Sequence, residues 1–201
     1  AIPAKPLLTG SVAYQRGIEQ AIATPTTYPD WYATDNGFSS RFAMDSAHRP
    51  ILDLALATLL ETDGTVIDLG CGNGALTAKM AGMVSRCIGV DFSASGVEIA
   101  SRRYPAAQFR CNPLSQPLSV ELRGTFDMVM AVEVVEHLLL PRELFERARE
   151  ALKPGGYLMV TTPYHGYLKN LALAFAGKFD AHWHPLRDYG HVKFFSEKTL
   201  G

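Results

Sequence analysis

Val66-Ile67-Asp68-Leu69-Gly70-Cys71-Gly72-Asn73-Gly74 reads as an apolar strand that carries an acid and runs into three alternating glycines. The pattern describes a parallel strand whose carboxyl end opens onto a ligand. Glycines let a nucleoside approach the backbone without meeting a Cβ, and the helix that follows, over 75–83, turns its N-terminus toward that ligand. Asp91 closes the next apolar strand, Arg86-Cys87-Ile88-Gly89-Val90, 21 residues after Gly70. A carboxylate at that distance in a βαβ unit is placed to grip ribose hydroxyls. The glycine spacing departs from the G-x-G-x-x-G of dinucleotide turns, which disfavours a nicotinamide oxidoreductase.

Gly70-x-Gly72-x-Gly74 with Asp68 ahead of it resembles motif I of class I S-adenosylmethionine-dependent methyltransferases. Phe126-Asp127-Met128-Val129-Met130-Ala131-Val132-Glu133-Val134-Val135-Glu136-His137-Leu138 looks like the fourth-strand motif of that superfamily. Leu152-Lys153-Pro154-Gly155-Gly156, running on to Pro163, looks like its L-x-P-G-G turn and fifth strand. The chain is most similar to the ubiquinone-biosynthesis type of small-molecule O-methyltransferase. Trp31-Tyr32, Gly37-Phe38, Arg49, Thr162-Pro163-Tyr164 and Lys169-Asn170 fall where that family has its own motifs. The resemblance implies a three-layer Rossmann-like α/β fold with a mostly parallel sheet, and a C-terminal antiparallel hairpin expected beyond Gly201. It implies S-adenosyl-L-methionine as cofactor and S-adenosyl-L-homocysteine as product.

Carried onto this chain, the resemblance has the Gly70-Cys71-Gly72 backbone pack on the methionine moiety and Asp68 orient its amino group. Asp91 takes the ribose hydroxyls, Phe92 covers an adenine face, and Ala131 and Val132 pass the cofactor by main chain. Arg49 matches the arginine that meets the methionine carboxylate, with Arg41 as competitor and a plain surface arginine as the alternative. Asn112 stands where the family commonly has an acid for the adenine amino group, and an Asn-Pro turn explains it equally.

The bounds agree with an enzyme domain. A chain of 201 residues that is 47% hydrophobic can bury a core under two helical layers. Its net charge of −1 gives no field for a polyanion, which argues against nucleic acid. Cys71, Cys87 and Cys111 lie in or beside expected strands and read as buried thiols of a reducing, cytoplasmic protein. No stretch is apolar enough to span a membrane. The expected organisation is an N-terminal arm and lid over 1–45, then the methyltransferase domain over 46–201 with a cap insert at 164–195; a monomer or homodimer is expected. Pro50 opens a helix running to Leu60. Strands are expected at 66–69, 86–90, 107–111, 126–131 and 156–162, with helices at 75–83, 94–103 and 141–152. Arg142, Glu143, Glu146, Arg147 and Glu150 read as a solvated, paired face.

Four residues are candidates for the transfer itself: His137, Tyr32, Lys169 and Arg187. Tyr32 belongs, with Tyr28 and Trp31, to an aromatic stretch beside Gly37 that reads as a lid. Glu133 and His137, four apart, are expected to share a helical face toward the pocket. The segment from His165 to Lys193 is basic and holds His165, His182, His184 and His191. Leu168, Leu171, Ala172 and Phe175 have helical spacing and are expected to pack inward. His182-x-His184 lacks a third ligand at metal-site spacing, so no metal is expected. The basic cap favours an anionic acceptor, a carboxylate, phosphate or phosphonate already deprotonated and in no need of a base. A neutral phenol or quinone precursor, whose proton must be taken by a group such as His137, is the alternative reading. A catalytically inactive, regulatory methyltransferase-like subunit is the other.

Overall fold

The computed structural model describes residues 45–59, 62–179 and 190–200. Tyr28, Trp31, Tyr32, Arg41, His182, His184 and Arg187 lie outside them.

Helix α1, Asp45–Thr58, buries Leu52 and Ala55 on one side. Pro50 does not open this helix: it lies inside it, one turn further in than its sequence position suggested. Proline there deprives the Ser46 carbonyl of its helical donor. The loss is tolerable because Pro50 is exposed and water can replace the donor.

Five parallel strands follow: β1 Thr65–Leu69, β2 Arg86–Asp91, β3 Gln108–Cys111, β4 Phe126–Val132 and β5 Leu152–Thr161. They pair in the order β3-β2-β1-β4-β5. The crossovers are α2 Ala75–Ala81, α3 Ala94–Arg103 and α4 Arg142–Ala151. Side chains alternate across each strand, so the sheet has two cores. Ile67, Leu69, Val90, Val129 and Ala131 pack with Leu144, Ala148 and Ala151 of α4 on one face. Val66, Cys87, Met128 and Met130 pack with Leu52 and Ala55 of α1 and Met80 of α2 on the other. These are the three layers expected, and strand boundaries agree within a residue or two except at β5.

At β5 the register jumps: Phe126 pairs with Leu152, but Met128 pairs with Tyr157. Lys153–Gly156, expected as a turn ahead of the fifth strand, is an excursion at the start of the strand. Lys153 Nζ donates to Asp127 Oδ1 at 2.9 Å and Asp63 Oδ2 at 3.1 Å. Asp127 Oδ2 accepts from the Thr65 amide at 2.9 Å and its hydroxyl at 2.7 Å. Burial raises the Asp127 pKa, but the bonds from Thr65 and Lys153 outweigh it and hold the carboxyl below its ordinary value. The network ties three strands together at the amino edge of the sheet, away from the glycine turn.

Three further expectations give way. Arg147 is buried, not solvated, with Glu150 at 3.1 Å and Glu146 at 3.4 Å as its counter-charges. Cys111 is exposed because β3 is an edge strand, whereas Cys71 and Cys87 are buried as expected. The helix after β5, α5 Tyr167–Phe175, does not turn Leu168 and Phe175 inward; both are exposed. Its apolar periodicity is real, but the stripe faces outward. A last short helix, α6, spans Glu197–Leu200. Among the described residues, no helix is long and apolar enough to cross a membrane.

Candidate active site

The strand order reverses between β1 and β4, and the loops leaving their carboxyl ends diverge to open a crevice there. Leu69 runs into the glycine turn on one side; Val132 runs into Glu133–His137 on the other. Topology thus brings together two motifs separated by some sixty residues of sequence.

The turn is built from main-chain bonds. The amides of Gly70 and Cys71 both donate to the Val90 carbonyl, at 2.7 and 3.1 Å, and the Gly74 amide donates to the Cys71 carbonyl at 2.9 Å. Gly70, Gly72 and Gly74 have φ of 85°, 54° and 77°, a left-handed region that favours glycine. At Gly70 a Cβ would also lie 2.5 Å from Val134 Cγ2. Gly70→Ala is therefore expected to cost about 2–4 kcal/mol, combining a left-handed alanine with overpacking. A urea midpoint unchanged from the wild type would refute that reading of the turn.

Asp91 organises the rim of the turn. Its Oδ2 accepts from the Gly72 amide at 2.8 Å and its Oδ1 from the Ser93 amide at 2.9 Å. Ser93 in turn caps α3 by accepting from the Gly96 amide at 2.9 Å. A carboxylate has about four acceptor positions, so two such bonds leave capacity for a pair of ribose hydroxyls. Asp68, on β1 behind the turn, accepts from the Thr77 hydroxyl at 2.7 Å. Burial pushes its carboxyl up to about 6, with the Asp91 charge adding to the effect and the Thr77 bond opposing it. Burial likewise pushes the Cys71 thiol far above its ordinary range, which removes it as a nucleophile. Phe92, directly after Asp91, is 48% exposed. The Asn112 amide nitrogen donates to the Pro113 carbonyl at 2.9 Å, as the Asn-Pro turn requires, while its carbonyl oxygen remains the end suited to an adenine amino group. Ala131 is buried and Val132 partly so, at the carboxyl end of β4. These residues share the carboxyl edge of the sheet around the glycine turn and make the candidate cofactor cradle.

Arg49 stands apart from this set. It lies on the exposed side of α1 with its Nε 2.9 Å from Asp53 Oδ1, the arrangement of a surface pair one helical turn apart. Lys169 on α5 donates to the Tyr164 carbonyl at 3.0 Å.

Beyond β4 the expected helical face of Glu133 and His137 does not form. Glu133 has φ of 56°, and only Val135–His137 makes a 3-10 turn. Glu133 instead accepts from the Thr161 hydroxyl at 2.9 Å. His137 meets His191, ring centroids 4.9 Å apart and edge-on. Two amides, of Val192 and Lys193, donate to the Glu136 main-chain carbonyl at 2.8 and 3.0 Å, which seats the 190–195 segment against the turn. The Glu136 side chain is 1% exposed, and neither oxygen has a hydrogen-bond partner of normal geometry among the described residues. Burial pushes its carboxyl up to about 7; the Glu133 charge adds to this, and the nearby Thr162 hydroxyl offsets only part. Ligand atoms of Glu136, His137 and His191 lie within 4.8 Å of one another. A buried, unpartnered carboxylate beside two imidazoles can take a proton or hold a divalent cation. The sequence reading passed over Glu136 and His191 as site residues. The adjacent Glu136-His137 pair directly after a strand was the available signal; His191, fifty-four positions on, had none.

Because its folded pKa is raised, Glu136 stabilises the fold below its ordinary pKa of 4.5, and that contribution is lost as pH rises through about 7. Glu136→Gln is accordingly expected to melt higher than wild type at pH 8, by roughly 1–3 kcal/mol, and to match it near pH 4. Thermal unfolding across that range decides it, and an equal difference at both pH values would contradict the assignment.

A parallel sheet in this order, with a glycine turn after β1 and an acid closing β2, is the donor-site frame of the class I S-adenosylmethionine-dependent methyltransferases, and dinucleotide-binding folds share it. The chain belongs to that class: residues 41–201 match the family model described as methyltransferase domain. It is 31% identical over 140 residues to the ubiquinone biosynthesis O-methyltransferase of Bradyrhizobium diazoefficiens, a match covering 67% of this chain and 54% of that protein. The chain thus spans about half the length of the curated relatives it matches. Among solved structures it is similar to YcgJ from Bacillus subtilis, with a TM-score of 0.60 at 21% identity over 78% of this chain and 64% of that one. It is also similar to CalS10 of Micromonospora echinaspora, an amino pentose methyltransferase solved with S-adenosylmethionine, with a TM-score of 0.53 at 20% identity over 59% and 50% of the two chains. The two structures bear on the fold alone.

Proposed function

We propose that this chain carries the catalytic domain of an O-methyltransferase that moves the methyl group of S-adenosyl-L-methionine to a hydroxyl of a small phenol or quinone precursor. The observation that carries the reading is the Glu136–His137–His191 cluster at the end of the strand next to the glycine turn. Bound in the cradle, the cofactor supplies an electrophilic methyl carbon on a sulfonium. The C–S bond breaks as the C–O bond forms, and the hydroxyl proton must leave. A phenol with a pKa near 10 needs that proton taken by a base, or its pKa lowered by a cation. The cluster offers both: His137 and His191 as proton acceptors, or the three side chains as ligands of one divalent ion.

The names of the curated relatives favour the same acceptor class. The anionic acceptor expected from the basic cap has less support, since Lys169 is engaged with a main-chain carbonyl and Arg187 lies outside the described residues. Tyr32 keeps its proposed place in a lid, and Arg49 its proposed contact with the methionine carboxylate on exchange of its Asp53 partner. Methyl transfer from labelled cofactor to a catechol, with benzoate and phenyl phosphate in parallel, tests the acceptor. A chelator and added Mn²⁺ or Mg²⁺ then separate cation from base. Preference for the charged acceptors would overturn the phenolic reading.

A further inference from the structure

Asp68 and Thr77 form a buried polar pair just ahead of and just behind the glycine turn. Thr77 is fully buried and Asp68 is 2% exposed, and the threonine hydroxyl donates to Asp68 Oδ2 at 2.7 Å. Asp68 shares its face of the sheet with Val66, which packs with Leu76 and Met80 of α2, and a carboxylate in such surroundings is costly unless something holds it. Asp91, closing the neighbouring strand, adds a like charge, while Cys71 in the turn and Cys87 on β2 are thiols that burial keeps neutral. Met128 and Met130 of β4, with Leu52 and Ala55 of α1, cover the same face without charge. Lys79 is turned about 200° round α2 from Thr77. Arg49 and Asp53 of α1 are exposed and paired to each other. Burial holds the Asp68 carboxyl at about 6, the Thr77 bond opposes that rise, and the Asp91 charge adds to it.

We propose that Thr77 is a positioning residue of the donor site: its hydroxyl fixes the Asp68 carboxylate for the cofactor's ammonium group, and cofactor binding is thereby coupled to release of a proton from Asp68. The inference rests on the reading that Asp68 orients the methionine amino group. Near pH 6 that amino group is already charged, whereas the carboxyl of the free protein is divided between its two forms. An arriving ammonium favours the ionised form. The carboxyl O–H bond breaks, its proton passes to buffer, and the carboxylate pairs with the ammonium.

Calorimetric titration with S-adenosylhomocysteine, in buffers of different ionisation enthalpy from pH 5 to pH 8, counts the proton. The wild type is expected to release a large fraction of one proton near pH 6 and almost none at pH 8, with affinity falling up to about tenfold per unit below that range. Thr77→Val should move both features upward by about one pH unit, and Thr77→Ser, which keeps the hydroxyl, should return them to the wild-type position. 5′-Methylthioadenosine, which lacks the amino group, should bind without releasing a proton. Thr77→Ala repeats the comparison if the valine variant does not fold, and the wild-type proton count stands without any variant. No proton release by the wild type, a profile unmoved in Thr77→Val, or a serine variant that behaves like the valine one overturns the proposal. Asp68→Asn should bind weakly and release no proton; undiminished affinity there would remove the Asp68 contact itself and the proposal with it.

Discussion

Asp91→Ala is expected to weaken S-adenosylhomocysteine binding by about a hundredfold or more. Each charge-assisted bond to ribose is worth roughly 1.5–3 kcal/mol, and a single carboxylate supplies two of them. The structure adds a second loss, because the amides of Gly72 and Ser93 both donate to this carboxylate. Removing it unties the glycine turn and the start of α3 together, so affinity should fall further than ribose contacts alone explain. Asp91→Asn separates the effects: it keeps one acceptor oxygen but offers donors to amides that are themselves donors. Calorimetric titration of each variant is the measurement. Wild-type affinity in the alanine variant, or binding of NAD by the wild type, would undo the cofactor assignment.

His137→Ala and His191→Ala should each lower kcat for a phenolic acceptor by about 10²–10⁴, the range of a lost proton-transfer or activating group. Cofactor affinity should stay within about twofold of wild type, because neither side chain belongs to the cradle. The double variant should be little worse than either single one, since residues acting as a unit are not additive. Such a pattern would place both histidines in one device. A minor effect of His137→Ala, paired with strong losses on neutralising the cap lysines, would instead restore the anionic acceptor.

The turn geometry of the candidate donor half was legible in the sequence because it is local. Asp68, the three glycines and Asp91 sit within one βαβ unit, where spacing along the chain is nearly spacing in space. The alternation of strands and helices gives a parallel sheet, but right-handed crossovers leave more than one strand order open, and the order β3-β2-β1-β4-β5 comes from the structure. The acceptor half resisted for the opposite reason. His191 reaches His137 only because two amides of a distant loop bond the Glu136 carbonyl. Glu133 was misassigned because helical spacing was assumed where a left-handed residue breaks the turn. Periodicity identified α5 correctly and its orientation wrongly: a pattern shows that an apolar stripe exists, not which way it faces. Arg147 failed similarly, as a charged residue counted to solvent that the fold encloses with its counter-charges.

The clamp on Glu136 bears on how acceptor preference could diversify. The segment that carries His191 is held by the main-chain amides of Val192 and Lys193, not by their side chains. Any residue other than proline at those positions can preserve the bonds. In the proposed acceptor site, substitution there would reshape the rim while His191 stays in register with His137. On that proposal, geometry and selectivity rest with different groups, and a library varied at 192 and 193 is the place to look for new substrates without loss of chemistry.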